Sequence, residues 1–84
     1  MQKEETTYIY GAEIRLDHTT RRDRLVKAAK DAGFIVDFTR AFDVSFSGAN
    51  GPEYWAISVS VPGKHDLNAR REFRAKLMAA WKGL

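Results

Sequence analysis

The chain has 84 residues, of which 44% are hydrophobic and 12% aromatic, with no cysteine and a formal net charge of +3. That length suits one domain with a core of its own, and the lack of cysteine excludes disulfides, thiolate metal sites and a cysteine nucleophile. No apolar run approaches the roughly 18 residues that cross a bilayer, and no apolar h-region follows Met1–Glu5, so neither membrane insertion nor a signal peptide is expected and a reducing cytoplasm is the expected location.

We expect one domain over residues 1–84, with residues 1–6 as a flexible tail. From Thr7 to Asp17 the chain alternates with period two. Tyr8, Tyr10, Ala12, Ile14 and Leu16 fall on one face and Ile9, Gly11, Glu13 and Arg15 on the other, the pattern of a half-buried strand. Thr19 or Thr20 is expected to cap a helix, with Asp23 completing a capping box. Leu25, Ala28, Ala29 and Ala32 supply its apolar stripe, and Gly33 its stop.

Phe34 to Ser47 is again strand-like, with Phe34, Val36, Phe38, Phe42, Val44 and Phe46 on one face. Arg40 interrupts the apolar set, so either one strand bends there or two strands meet in a turn at Arg40-Ala41. Ser47–Pro52 is a turn by composition. Tyr54–Val61 is the clearest strand, with Trp55, Ile57, Val59 and Val61 facing inward. Asp66 or Asn68 is expected to cap a last helix whose buried stripe is Phe73, Leu77, Ala80, Trp81 and Leu84. The expected fold is α+β: a two-layer sandwich of an antiparallel sheet of three to four strands with two helices on one face, in the order β-α-β-(β)-β-α.

The charge is uneven. Residues 19–33 carry Arg21, Arg22, Arg24, Lys27 and Lys30 against Asp23 and Asp31, and residues 66–84 carry Arg70, Arg71, Arg74, Lys76 and Lys82 against Asp66 and Glu72. The rest of the chain is net acidic. Such segregation suits an anionic partner. Both helices also open on an arginine doublet, Arg21-Arg22 and Arg70-Arg71, where the helix dipole makes a cation cost about 0.3–1 kcal/mol. Two readings stand side by side. The doublets and free helix amides could hold phosphate or carboxylate, or the arginines could lie across the sheet edge and pair with Glu4, Glu5, Asp17 or Glu53. On the last helix Arg71, Arg74, Met78, Trp81 and Lys82 project to one side, as for a nucleic-acid or protein contact or, for Trp81, as core.

Enzymatic constellations are scarce. His18 and His65 each precede a helix, and they cannot share a site if the first and last strands are antiparallel neighbours. Asp37 and Asp43 would lie about 20 Å apart on a straight strand, too far for a carboxylate pair. No phosphate-binding loop, dinucleotide fingerprint or serine elbow occurs. No catalytic residue, metal or cofactor is expected.

From Leu25 to Leu84, with a turn at Arg40-Ala41, the order becomes helix, three strands, helix. That segment resembles the double-stranded-RNA-binding type of fold, and more narrowly the HicA-type mRNA interferase toxins. The likeness rests on Ala32-Gly33-Phe34 closing the first helix, Val59-Ser60-Val61-Pro62 ending the last strand, and Asp66-Leu67 before a basic helix. It implies RNA binding by the helix layer and, in the toxins, pairing with an antitoxin. The toxins' Gly-Ser-His is replaced by Ala41-Phe42-Asp43, and the strand before the first helix is additional, so ribonuclease activity is not carried over.

The expectation is a small non-enzymatic protein that contacts nucleic acid, RNA foremost, through Arg21, Arg22, Arg24, Lys27, Arg70, Arg71, Arg74 and Lys82. The alternative is a protein-interaction module, such as a phage- or mobile-element-encoded inhibitor or adaptor. It would bind an acidic protein surface or a second copy of itself, using the strand Tyr8–Leu16 as an edge. A nuclease using Asp43 in place of the histidine is a third.

Overall fold

The structure, a computed structural model, describes residues 5–42 and 53–84. The elements are β1 (Thr6–Arg15), α1 (Thr19–Asp31), β2 (Ile35–Phe42), β3 (Glu53–Pro62) and α2 (Leu67–Trp81). The three strands form one sheet in the order β1-β3-β2, every neighbouring pair antiparallel. Alternation sends Trp55, Ile57, Val59 and Val61 of β3 toward the helices, where they meet Leu25, Val26 and Ala29 of α1 and Leu77 of α2. The expected two-layer sandwich is therefore present, with three strands among the described residues. Asp43 and the Ser47–Pro52 turn lie outside the described residues, as do Val44 and Phe46.

β1 departs from simple alternation. Tyr8 pairs with Ser60 but Tyr10 with Val59, so Ile9 is the extra residue of a β-bulge. A bulge resets the side-chain phase, and Ile9 turns into the core together with Ile14. Tyr8, expected on the inner face, is 53% exposed on the open one. There its hydroxyl lies over Gly11, in the space a Cβ would fill. The strand also begins at Thr6, within the segment expected to be a tail, and the Glu5 carbonyl already accepts the Gly63 amide.

β2 neither bends nor turns at Arg40-Ala41. Arg40 pairs with Trp55 and Ala41 with Tyr54 in an unbroken register from Ile35 to Phe42. The three-strand order that the RNA-binding-type resemblance required is not formed by a turn at that point.

The helix ends are made differently. α1 starts at Thr19, with His18 in the N-cap position and no side-chain cap bond, so neither threonine caps it. Asp23 takes no part in a capping box, because its carboxylate accepts both Nε and Nη2 of Arg22. At the other end the Phe34 amide donates to the Ala29 carbonyl and the Gly33 amide to Lys30, with Gly33 at φ +94°. That is the Schellman closure glycine favours. α2 is capped by Asp66, whose carboxylate accepts the Ala69 amide at 2.8 Å. Asp66→Ala should cost about 1 kcal/mol, read as a lowered urea midpoint with an unchanged m-value.

The buried stripes shift a little from expectation. Val26 is in the α1 core while Ala28 is half-buried, and Leu84 is 47% exposed. On α2 only Leu77 is fully buried among the described residues. Phe73 and Trp81 flank it, Phe73 edge-on to Phe34 and Trp81 edge-on to Tyr10. The Trp81 indole N–H donates to the Leu25 carbonyl at 3.0 Å. These contacts fix the helices antiparallel: the end of α2 lies beside the first half of α1, and its start beside the end of α1.

Candidate functional site

Antiparallel strands and helices divide the molecule into two ends. At the upper end β1 finishes, β3 begins, α1 starts and α2 stops. At the lower end the reverse holds. His18 lies at the upper end and His65 at the lower, so the two histidines are apart. His65 is structural: its Nε2 bonds the Pro62 carbonyl at 2.8 Å, its amide donates to Thr7 Oγ1, and its ring is edge-on to Phe73. The arginine doublets are separated in the same way, Arg21-Arg22 above and Arg70-Arg71 below, so one anion cannot span both.

The upper end collects Arg15, Arg21, Arg22, Arg24, Arg40 and Lys82. Its carboxylates are largely engaged: Asp17 with Arg15 at 3.4 Å, Asp23 with Arg22 at 2.8 Å, and Glu53 with Arg40. Arg21, Arg24 and Lys82 are exposed and make no ion pair among the described residues. Arg21 and Arg24 line an open cleft of about 400 Å³ together with Asp17, His18, Thr20 and Leu84. Arg21 also borders a smaller hollow toward Glu13, Leu25 and Trp81. The first turn of α1 holds no acidic side chain, and its amides carry no side-chain cap. Positive potential from the guanidinium groups and the helix dipole therefore falls in the same place.

The lower end is balanced. Lys30, Lys64, Arg70 and Arg71 stand there with Glu5, Asp31, Asp66 and Glu72, all within the segments that meet at that end. None of the arginines in the two doublets reaches Glu5, Asp17 or Glu53; Glu4 is outside the described residues. Lys27 is exposed on the middle of α1.

Two of the arginines expected at the site are committed to the fold. Arg22 has only 16% of its side chain exposed. Its guanidinium carbon lies 4.7 Å from the Phe38 ring centre and 4.5 Å from that of Trp55. Arg74 bends onto the sheet, donating to the Ile9 carbonyl at 3.3–3.4 Å and lying 5.8 Å over Tyr10. A bulge locally disrupts the ladder, and the guanidinium supplies that carbonyl with donors at this point. Arg71 and Met78 stay exposed on α2, whereas Trp81 packs inward, so the basic and aromatic cluster expected on that helix does not form one surface.

Comparison with family models, curated proteins and solved structures gives no match. The site therefore stands on its own chemistry. Among the described residues no group of three His, Cys, Asp or Glu side chains could hold a metal ion, and no helix is long and apolar enough to cross a membrane. Sequence reasoning missed Arg15, Arg40, Phe38 and Trp55 at the upper end. The signal was present in Arg40 opposite Trp55, but it needed the register of β2 against β3 to be read.

Proposed function

We propose that this protein binds nucleic acid through its upper end, with Arg21, Arg24 and Lys82 as the principal phosphate contacts and Lys27 extending them along α1. One observation carries the reading: the exposed Arg21 and Arg24, with no carboxylate partner among the described residues, line one open cleft at the start of α1, and the exposed Lys82 follows α2 where that helix ends beside α1. Guanidinium groups suit phosphate through paired N–H donors. Phosphate contacts of this kind carry no sequence information and serve RNA and DNA alike; RNA is the first probe because of the sequence resemblance, although the strand turn it required at Arg40-Ala41 is not formed. Arg70 and Arg71, beside as many carboxylates as cations, are secondary contacts at most.

Binding to a fluorescent single-stranded RNA should be measurable by anisotropy at about 50 mM salt and should weaken with a log–log slope of about −2 or steeper, corresponding to three phosphate contacts. Absence of binding to RNA and DNA under those conditions would overturn the proposal.

The competing reading, a protein-interaction module, has support from topology, because β1 is an edge strand. The bulge at Ile9 and the Arg74 guanidinium on its carbonyl interrupt that edge, which are two ways of blunting a strand against pairing. The open sheet face presents Gly11, Ala56 and Ser58 between Tyr8 and Tyr54. Three strands by about eight residues make roughly 400 Å², about half of what each partner contributes to a standard interface. Charge-driven binding of nucleic acid at the upper end therefore has the better support.

A further inference from the structure

We propose that the open face of the sheet carries a second site, which takes the guanidinium of an arginine side chain from a peptide segment. The inference goes beyond the nucleic-acid reading, because this face lies on the side of the sheet away from both helices. Tyr8, Gly11, Glu13, Tyr54, Ala56 and Ser58 line one shallow trough of about 280 Å³ there. Its floor is flat because the paired positions are small: Gly11 stands opposite Ser58, and Glu13 opposite Ala56. Tyr8, opposite Ser60, and Tyr54, opposite Arg15, flank that floor at its two ends.

Tyr8 is held down by a specific fit. Its side chain is on the open face, yet its hydroxyl lies where a Cβ of Gly11 would stand. Gly11 is not among the glycines with positive φ, so its backbone conformation does not call for glycine. The close approach of the phenol does. Glycine at this position lets Tyr8 lie along the strand and bring its hydroxyl to the trough.

Charge selects the occupant. Glu13 is exposed and makes no ion pair among the described residues. Asp37 stands on the same face across Ser58, and it too is exposed without an ion pair among them. Arg15, at the Tyr54 end, is joined to Asp17 at 3.4 Å. The trough is therefore acidic, with phenol and serine hydroxyls around it. An ammonium is a strongly hydrated point charge, whereas a guanidinium is planar, weakly hydrated and stacks on aromatic rings while its fork meets a carboxylate. A planar cation suits a flat floor between two phenols. One side chain also needs far less area than the roughly 800 Å² per partner of a standard interface, so the small extent of this face is no obstacle.

The test is an NMR titration of the isotope-labelled protein with an acetylated Gly-Arg-Gly amide, and with the same peptide carrying lysine or uncharged citrulline. The arginine peptide should shift the amides of Gly11, Glu13, Ala56 and Ser58 saturably at about millimolar concentration, and leave those of Arg21 and Arg24 in place. Lysine should bind more weakly and citrulline not at all. Glu13→Gln and Tyr54→Leu should each weaken the arginine peptide about fivefold, the scale of one exposed ion pair or one cation–π contact. Gly11→Ala should weaken it as much as Tyr8→Ala, since the new Cβ displaces the Tyr8 hydroxyl, and should leave RNA affinity unchanged. Circular dichroism of each variant establishes that it is folded. The inference is overturned by the lack of a saturable shift up to about 20 mM, by citrulline or lysine binding as tightly as arginine, or by indifference to Gly11→Ala. None of these results touches RNA binding at the upper end, which stands or falls on its own measurement.

Discussion

Leu77→Ala is expected to remove about 2–5 kcal/mol of stability. Leu77 is 0% exposed and is the residue through which α2 is held against the sheet. Its neighbours on the same face, Phe73 and Trp81, are only half-buried, and they are fixed by edge contacts to Phe34 and Tyr10. Both rings sit at the margins of the helix, so neither can move into a cavity at its centre. An 84-residue domain has a total of about 4–13 kcal/mol to lose, and this one substitution should bring the protein close to unfolding at room temperature. Urea titration followed by circular dichroism measures it. Leu77→Met, which conserves volume, should cost less than about 1.5 kcal/mol. Equal losses from the two would mean that α2 is not docked through Leu77.

Reversing Arg21 and Arg24 together to glutamate should separate binding from stability. The double change alters the local charge by four units, and at about 0.7 kcal/mol per unit that is about 3 kcal/mol, or a hundredfold in affinity for RNA. Stability should hold or rise slightly. Both side chains are exposed and without carboxylate partners among the described residues, and an acidic residue in the first turn of α1 complements the helix dipole by about 0.3–1 kcal/mol. The matching reversal of Arg70 and Arg71 should leave most of the affinity in place, since those arginines stand at the other end of the molecule. If both reversals weaken RNA equally, the binding surface is the helix layer as a whole and not its upper end.

Much of the architecture was legible locally. Strict alternation in Trp55–Val61 marked β3 and its inner face, and Asp66 announced the start of α2. What stayed hidden depended on partners distant in sequence. The Tyr8–Tyr10 bulge is visible only against Ser60 and Val59, so Tyr8 and Ile9 exchanged faces relative to the simple pattern. Arg40 looked like a break in an apolar run, yet it is an ordinary strand residue opposite Trp55. Thr20 and Asp23 had the spacing of a capping box, but Arg22 competes for the same carboxylate and wins it with two charge-assisted bonds. The candidate site was half legible. Residue type identified the arginines, but whether each faces solvent or lies on a ring is set by tertiary contact, and that removed Arg22 and Arg74 from the free set.

The strand order has a consequence for how the chain reaches this state. β1 and β2 are the two edges and never touch; β3, the last strand in sequence, is inserted between them. Residues 5–42 by themselves therefore hold two strands that do not pair with each other and a helix lacking the core side chains that β3 and α2 supply. Pairing of Thr6 with Pro62 joins positions separated by most of the chain that precedes α2. Contacts of such long sequence separation close late and slow the search. The ladder between these strands needs β3, and Arg22 meets the Trp55 ring only once β3 is in place.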